Sequence, residues 1–282
     1  MTNSQIIIRQ SERSDEDGLE FLLNYEFFVH HHLDWRSSLD WLGQSSFQIA
    51  SVENEIIACL SIPNEVDDVA WIRLFACSSL YSKEQIWDLL FESVIAKFEG
   101  SVTKILALGI HNWFADLLKR RSFFMFQNII VLEWYQNQVK NNKFNGDLNI
   151  STVETNDFPA IIQLDKKCFS SFWQLPSLSM KEAYYQAGYF TKAVLNGKII
   201  GYQLCTESPS SAHLARLAVD PEFQGNNFGK ALVNDVLKHY LSSGINQITV
   251  NTQDDNLSSQ ALYQKLGFQI SEEKYPVLVR NL

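Results

Sequence analysis

The sequence predicts an α/β fold with mixed sheets, present twice along the chain. Three observations lead to this prediction. Apolar, β-branched runs alternate with amphipathic helical segments, an Asn-Gly pair at residues 196–197 marks a hairpin, and several segments recur at a constant spacing. The chain has 282 residues, of which 46% are hydrophobic, and this is enough for one large domain or two ordinary domains.

The repeat is visible in residues 47–62 and 190–205. Phe47 corresponds to Phe190 and Ala50 to Ala193, so the offset is 190 − 47 = 143 residues. Further pairs at this offset are Ile56-Ile57 with Ile199-Ile200, Arg73-Leu74 with Arg216-Leu217, Leu89 with Leu232, and Ile105 with Ile248. A constant offset across several elements indicates two copies of one fold.

The segment between the copies is polar and rich in Asn. Residues 141–149 read NNKFNGDLN, a composition typical of a linker. We therefore predict a first domain over residues 1–143 and a second over residues 147–282, each of ordinary domain size.

The elements of the second copy follow from periodicity. A strand at NISTV precedes a helix at DFPAIIQLDKKCF, with Asn156 or Asp157 as its N-cap. A second helix, MKEAYYQAG, ends at Gly188. A hairpin covers residues 190–207.

The remaining elements of this copy alternate in type. The strand AHLARLAVD leads into the helix NFGKALVNDVLKHYLSSG, and the strand QITVNTQ leads into the helix LSSQALYQKLG. Two closing strands are predicted in FQISEEKYPVLVRN. This order predicts a mixed sheet with helices on both faces.

The composition excludes several classes of protein. With 23 basic and 32 acidic residues the net charge is −9, which argues against nucleic-acid binding because phosphates require a basic surface. The sequence has no apolar run long enough to span a membrane and no secretory signal pattern. Its four cysteines are far apart, so no disulfide framework or metal site is expected. We predict a cytoplasmic monomer or homodimer.

One loop carries a binding pattern. Residues 218–237 read AVDPEFQGNNFGKALVNDVL, a strand followed by a Gly- and Asn-rich loop and a helix. The first N–H groups of a helix lack intrahelical partners and attract anions. Gly and Asn allow the backbone to approach a ligand closely. The loop lacks the Gly-Lys-Ser/Thr of a nucleotide-triphosphate loop, so we interpret it as a different phosphate cradle.

This loop resembles the pyrophosphate loop of the GNAT superfamily of N-acetyltransferases, whose pattern is Q/R-x-x-G-x-G/A. Gln224 and Gly229 fit, and Asn227 replaces a usual glycine. Residues 256–268, NLSSQALYQKLGF, are similar to the family's N-x-x-A-x-x-L-Y-x-K-x-G-F helix, with Ser259 in place of the usual alanine. The resemblance covers roughly residues 147–282, and the repeat extends the fold to the whole chain.

The resemblance implies an acetyl-CoA site and no metal. Leu217, Ala218 and Val219 would pair with the pantetheine arm, Asn256 would contact it, and Tyr263 would protonate the leaving thiolate. The pyrophosphate would be held by the loop residues Gln224, Gly225, Asn226, Asn227, Phe228, Gly229 and Lys230.

The first copy departs from both motifs. The counterpart of the loop is LYSKEQIW, residues 80–87, without glycine and with Glu84 where a phosphate would lie. The counterpart of the Tyr263 helix, FADLLKRRSFF, has no tyrosine. We expect that the first copy has kept the fold and lost acetyl-CoA binding.

Other candidates remain open. The segment HHHLDWRSSLDWLG, residues 30–43, lacks the spacing of metal ligands and is expected to pack at an interface or line an acceptor site. Phe169, Phe172 and Trp173 would form an apolar acceptor wall or ordinary core. The candidates for a general base are Glu207, His213, Asp254, Asp255 or a water relay.

The expected function is transfer of acetyl from acetyl-CoA to a primary amine by direct attack in a ternary complex. The acceptor would be a polyamine-like or aminoglycoside-like molecule, an amino acid or a protein N-terminus. The alternatives are a non-catalytic acyl-CoA sensor and a scaffold protein whose site has decayed.

Overall fold

A computed structural model describes residues 5–136 and 148–282 of the chain. It contains two compact units. The first comprises the described residues up to Phe126 together with Pro276–Leu282, and the second comprises the described residues of Gln127–Tyr275. The predicted linker at residues 141–149 lies almost entirely outside the described residues, and the domain limits at 143 and 147 stay a prediction.

The bounds of the elements follow in chain order. The first eight strands are β1 (Ile7–Gln10), β2 (Phe28–His31), β3 (Phe47–Val52), β4 (Glu55–Ser61), β5 (Asn64–Val66), β6 (Val69–Trp71), β7 (Leu74–Cys77) and β8 (Lys104–Leu108). The others are β9 (Phe124–Tyr135), β10 (Asn149–Thr152), β11 (Tyr189–Leu195), β12 (Lys198–Glu207), β13 (Ser211–Val219), β14 (Gln247–Gln253) and β15 (Gln269–Asn281). The helices are α1 (Glu16–Tyr25), α2 (Lys83–Ile95), α3 (Asn112–Lys119), α4 (Phe158–Cys168), α5 (Ser177–Gln186), α6 (Phe228–Ser242) and α7 (Leu257–Lys265).

The sheet of the second unit has the strand order β10-β11-β12-β13-β14-β9. Only β13 and β14 are parallel, and helix α6 connects them, as a parallel crossover requires. The first unit has one sheet in the order β1-β3-β4-β7-β2. Outside that sheet, its strand β6 pairs with β5 on one side and with β8 on the other. The predicted mixed α/β fold is confirmed.

The repeat extends to the register of the hairpins. In the first unit Phe47 pairs with Ser61, and in the second Phe190 pairs with Leu204, which is the same register at the same offset. Each hairpin also carries one extra residue in its second strand, Ile57 in one and Ile200 in the other. A shared β-bulge is a local irregularity that two unrelated hairpins would not place identically.

The closing strands differ from the prediction. We expected two strands within the second copy, but the chain forms one long strand, β15, and its residues Val277–Asn281 pair with β8 of the first unit. In the second unit, β14 pairs instead with residues 129–135 of β9. Each unit is thus completed by a strand from the other half of the sequence, because β14 and β8 would otherwise expose an unpaired edge.

Strand β9 also contributes to the core of the second unit. Its residues Ile130, Leu132 and Trp134 pack with the buried face of α6. Asp254, at the end of β14, accepts hydrogen bonds from the Asn128 backbone N–H at 3.0 Å and from its side-chain amide at 2.7 Å. Both the core and the sheet of this unit therefore depend on residues that precede the predicted linker.

The first unit has a strand without counterpart in the second. Strand β2 pairs antiparallel with β7, and His30 lies opposite Phe75. The His30 ring is fully buried and stacks on Phe114 at 3.9 Å. Burial lowers the pKa of His30 to about 3.

Removing β9 is expected to unfold the second unit. A fragment of residues 147–282 lacks three buried side chains, each contributing about 1.5–3 kcal/mol, against a typical total stability of about 5–15 kcal/mol. Urea unfolding followed by circular dichroism should show no cooperative transition for 147–282. A fragment of residues 124–282, which retains β9, should unfold cooperatively. Equal cooperativity of the two fragments would contradict the structural role of β9.

Acid is expected to destabilise the first unit through His30. The folded-state pKa lies below the ordinary value of 6.5, so the unfolded state binds more protons and stability falls as the pH falls from 6.5 towards 3. The loss is about 1.4 kcal/mol per pH unit for one such group. The His30→Leu variant should show a smaller difference in the free energy of unfolding between pH 7 and pH 5. His31→Leu should reduce this difference as well, because burial also lowers the pKa of His31.

Candidate active site

The site begins at an interruption in strand β13. Its pairing with β12 skips Ala215, since Leu204 lies opposite Arg216 while Cys205 lies opposite Leu214. Parallel pairing with β14 covers only Ser211–Leu214 of β13. Within the described chain, no strand pairs with residues 215–219 on this edge. The bulge therefore leaves backbone groups of the second half of β13 available to a ligand.

The loop at the end of this edge has the geometry of an anion cradle. Gly225 and Asn227 both adopt left-handed backbone, with φ of 80° and 63°. Asn tolerates this region better than other non-glycine residues, so the turn forms although Asn227 replaces a glycine. Two side chains of the loop donate hydrogen bonds to nearby backbone carbonyls. The Gln224 amide donates to the Val219 carbonyl at 3.0 Å, and the Asn226 amide donates to the Phe223 carbonyl at 3.2 Å.

Helix α6 follows the loop with its N-terminus uncapped. Asn227 is the N-cap residue, but its side chain makes no capping hydrogen bond, and no acidic residue lies in the first turn. Lys230 adds a positive charge there. The helix dipole and the first N–H groups therefore favour an anion at this end.

Gly229 allows α7 to approach α6. A β-carbon at this position would lie 3.3 Å from the Leu262 side chain of α7, so a larger residue would press the two helices apart. Asn256 is the N-cap of α7, and its side chain accepts a hydrogen bond from the Ser259 N–H at 3.1 Å. The Asn256 carboxamide oxygen is therefore engaged in capping α7. The predicted contact of Asn256 with the cosubstrate stays a prediction.

Tyr263 lies in α7 with a buried ring. The ring is 4% exposed and packs near Phe268. Burial raises the pKa of Tyr263 above the ordinary value of a phenol, and the neighbouring Cys205 thiol adds to the increase. The side chain therefore remains a protonated donor at neutral pH.

A buried polar cluster that was not anticipated from the sequence lies behind the edge of β13. Asp165 is fully buried, and its Oδ2 accepts hydrogen bonds from Arg216 Nε at 2.5 Å and from the Tyr202 hydroxyl. Arg216 Nη2 also donates to the Trp173 carbonyl at 2.7 Å. The repeat had singled out Arg216 through its match with Arg73, but no local pattern identifies Asp165 as the partner.

The candidate bases lie in different surroundings. Burial lowers the pKa of His213, whose Nδ1 is 2.8 Å from the Thr249 hydroxyl. The hydrogen bond from the Asn128 backbone lowers the pKa of Asp254, which is engaged in joining β14 to β9. Both shifts move the pKa away from neutral pH, whereas a general base works best with a pKa near the operating pH. The assignment of a base stays open, with Glu207 and Asp255 as further candidates.

The corresponding surfaces of the first unit are occupied by its own chain. Ser82 caps α2 by accepting a hydrogen bond from the Gln85 N–H, and Glu84 in the first turn forms an ion pair with Lys83 at 2.9 Å. Strand β2 pairs with Leu74–Cys77 of β7, which the repeat aligns with residues 217–220. The edge that is unpaired in β13 is therefore filled by β2 in the first unit.

The three adjacent histidines, residues 30–32, belong to the part of the chain that pairs with this edge. His30 and His31 belong to β2, and the His32 N–H donates to the Arg73 carbonyl at 2.9 Å. His31 Nδ1 lies 2.9 Å from the Ser38 hydroxyl. Within residues 5–136 and 148–282, no group of three or more His, Cys, Asp or Glu side chains is arranged to hold a metal ion. None of the described helices has the length and apolar character needed to cross a lipid bilayer.

Comparison with known proteins adds to this geometry. Residues 158–268 match the model of the acetyltransferase (GNAT) family. A curated [ribosomal protein bS18]-alanine N-acetyltransferase of Haemophilus influenzae is 26% identical over 130 residues, which cover 45% of this chain and 87% of that protein.

Two solved structures extend the likeness of fold to nearly the whole chain. A tandem GNAT protein from the clavulanic acid biosynthesis pathway has a TM-score of 0.65 and 12% identity, covering 98% of each chain. A GCN5-related N-acetyltransferase from Sphaerobacter thermophilus has a TM-score of 0.62 and 14% identity, covering 98% of this chain and 95% of that chain. Residues 158–268 therefore match the acetyltransferase (GNAT) family, and the fold of nearly the whole chain is similar to that of a tandem GNAT protein.

Proposed function

We propose that the second unit transfers acetyl from acetyl-CoA to a primary amine, and that the first unit binds no acetyl-CoA. The observation that carries this proposal is the contrast between the edge of β13 and the edge of β7, which the repeat aligns with each other. The edge at residues 215–219 lacks a strand partner within the described chain, whereas β2 covers the matching edge of β7.

Three features of the second unit fit the parts of acetyl-CoA. The unpaired edge at Leu217, Ala218 and Val219 offers backbone groups to the amides of the pantetheine arm. The uncapped N-terminus of α6, with the loop from Gln224 to Lys230, suits the pyrophosphate. Tyr263 supplies a protonated phenol for the sulfur.

The reaction would proceed by direct attack. The neutral amine attacks the thioester carbonyl, the carbon–sulfur bond breaks, and the thiolate takes the proton of the Tyr263 hydroxyl. The amine loses its own proton to water or to a base, and Tyr263 is reprotonated from solvent. Backbone N–H groups near the bulge at Ala215 would polarise the carbonyl. All of these groups belong to one unit.

Among acceptors, the curated relatives favour a protein N-terminal amine. The H. influenzae and Escherichia coli relatives are both named as acetyltransferases of an alanine of ribosomal protein bS18. We propose an N-terminal alanine peptide as the first acceptor to test, followed by spermidine, an aminoglycoside and a free amino acid.

Calorimetric titration with acetyl-CoA is expected to give one site per chain. The variant Asn226→Asp places a negative charge beside the uncapped end of α6. It should raise the Kd for acetyl-CoA at least about tenfold, because the carboxylate repels the pyrophosphate. The matched variant Ser82→Asp adds the same charge at α2, where Asp is an equally good cap, and should leave the Kd unchanged. Two sites would contradict the proposed role of β2, and no binding would contradict the enzyme.

Tyr263→Phe is expected to lower kcat by about 10²–10⁴-fold, the usual range for removal of a general acid. The Kd for acetyl-CoA should change less than about twofold, because the substitution removes only the hydroxyl and keeps the buried ring. Steady-state kinetics with the active amine and calorimetry of the same preparation make this comparison. Unchanged turnover would remove Tyr263 from the chemistry, and a wild type inactive with all four amines would favour a non-catalytic acyl-CoA sensor.

A further inference from the structure

The loop of residues 169–176, named here the aromatic loop, connects α4 to α5 and contains Phe169, Phe172 and Trp173. The loop contains a turn, in which the Trp173 and Gln174 N–H groups donate to the Ser170 carbonyl, and the Gln174 side-chain amide donates to the Phe169 carbonyl at 3.2 Å. The buried side chain of Asp165 and the partly buried side chain of Arg216 hold the loop. Asp165 Oδ1 accepts a hydrogen bond from the Leu175 N–H at 2.9 Å, and Arg216 donates to the Trp173 carbonyl.

Arg216 links this loop to the edge of β13. Its guanidinium lies 3.8 Å from the centre of the Phe169 ring and donates to Asp165 and Trp173 in two different directions. The residue immediately precedes Leu217 in the unpaired half of the strand. At the beginning of the loop, the Cys168 thiol donates to the Val219 carbonyl at 3.4 Å. The aromatic loop therefore runs beside the strand segment where the thioester is proposed to lie.

The first unit uses the corresponding arginine in the same way with different partners. Arg73 Nη1 contacts Asp34 at 2.6 Å, in the segment that follows β2, and Arg73 Nη2 contacts Glu65 at 2.9 Å. The repeat aligns Leu22 with Asp165 and Ser208 with Glu65, so neither acidic partner is shared. An arginine that is kept while its acidic partners change indicates that the position of the loop, rather than one particular ion pair, is what both units require.

We propose that Arg216 is a positioning residue for the amine acceptor, which fixes the aromatic loop as one wall of the acceptor site. The inference rests on the proposed function. Because Arg216 fastens the loop to the strand that also borders the cosubstrate, the loop presents its side chains to the acceptor beside the proposed cosubstrate site. Loss of this fastening affects binding of the acceptor and leaves binding of acetyl-CoA intact.

Arg216→Lys separates the two roles of the side chain. Lysine keeps a positive charge for Asp165, so the buried carboxylate remains paired, but an ammonium cannot also reach the Trp173 carbonyl in the fixed geometry of a guanidinium or stack on Phe169. With the N-terminal alanine peptide as acceptor, the KM for the peptide should rise at least about tenfold. The kcat should stay within about threefold and the Kd for acetyl-CoA within about twofold.

Arg73→Lys is the matched control, because it makes the same change in the unit that is proposed to hold no site. It should leave all three constants at wild-type values. An equal rise in the peptide KM for Arg73→Lys, or an effect of Arg216→Lys confined to kcat or to acetyl-CoA binding, would overturn the proposal.

A measurement that needs no acceptor distinguishes this proposal from the proposed function. Hydrogen exchange of the intact Arg216→Lys protein should be faster at the amides of Trp173, Gln174 and Leu175, and unchanged in α4. Unchanged exchange in the aromatic loop would overturn the positioning role. A wild type that binds acetyl-CoA and acetylates no amine would instead contradict the proposed function, while faster exchange in the variant would still show that Arg216 holds the loop.

Discussion

The backbone groups of an exposed strand edge must find partners, and this constraint governs both units. A buried N–H or C=O without a partner costs about 1–3 kcal/mol. The bulge at Ala215 turns β13 away from β14, so that residues 215–219 lack a strand partner within the described chain. In the first unit, β2 satisfies the matching edge of β7. One fold thus gives either an edge suited to a ligand or an edge closed by its own chain.

The same constraint explains why the two halves of the sequence are not two independent folding units. Strand β14 needs a partner on the side away from β13, and β8 needs a partner on the side away from β6. Each receives it from the other half of the sequence, β14 from β9 and β8 from β15. With β9 come Ile130, Leu132 and Trp134, which belong to the core of the second unit. Pairing and apolar burial therefore make the second unit dependent on residues that precede residue 137.

Charges are distributed so that the proposed ligand meets no buried carboxylate. Asp165 is fully buried but is neutralised by Arg216 and hydrogen-bonded by Tyr202 and the Leu175 N–H. The N-terminus of α6 has no acidic residue in its first turn, whereas α2 has Glu84. Removing one member of a buried ion pair typically costs about 3–5 kcal/mol. The cluster at Asp165 therefore favours one arrangement of α4, the aromatic loop and β13.

The sequence by itself determined what depends on local geometry and periodicity. The order of strands and helices from β10 to α7, the hairpin at Asn196-Gly197, the left-handed turn at Gly225 and Asn227, and the repeat itself follow from residue type and spacing, because φ preference and burial period act over a few residues. The loop and Tyr263 were selected in the same way, through motifs a few residues long.

Only the tertiary structure decided how distant residues are paired. The exchange of β9 and β15, the filling of the β7 edge by β2 and the contact of Asp165 with Arg216 join residues that are far apart in the chain. Such pairings depend on the summed packing of whole elements and carry no local pattern. The role of His30 illustrates the limit. From the sequence, the segment of residues 30–43 was expected to pack at an interface or to line an acceptor site. In the fold His30 is a buried strand residue stacked on Phe114, and its strand pairs with the edge of β7.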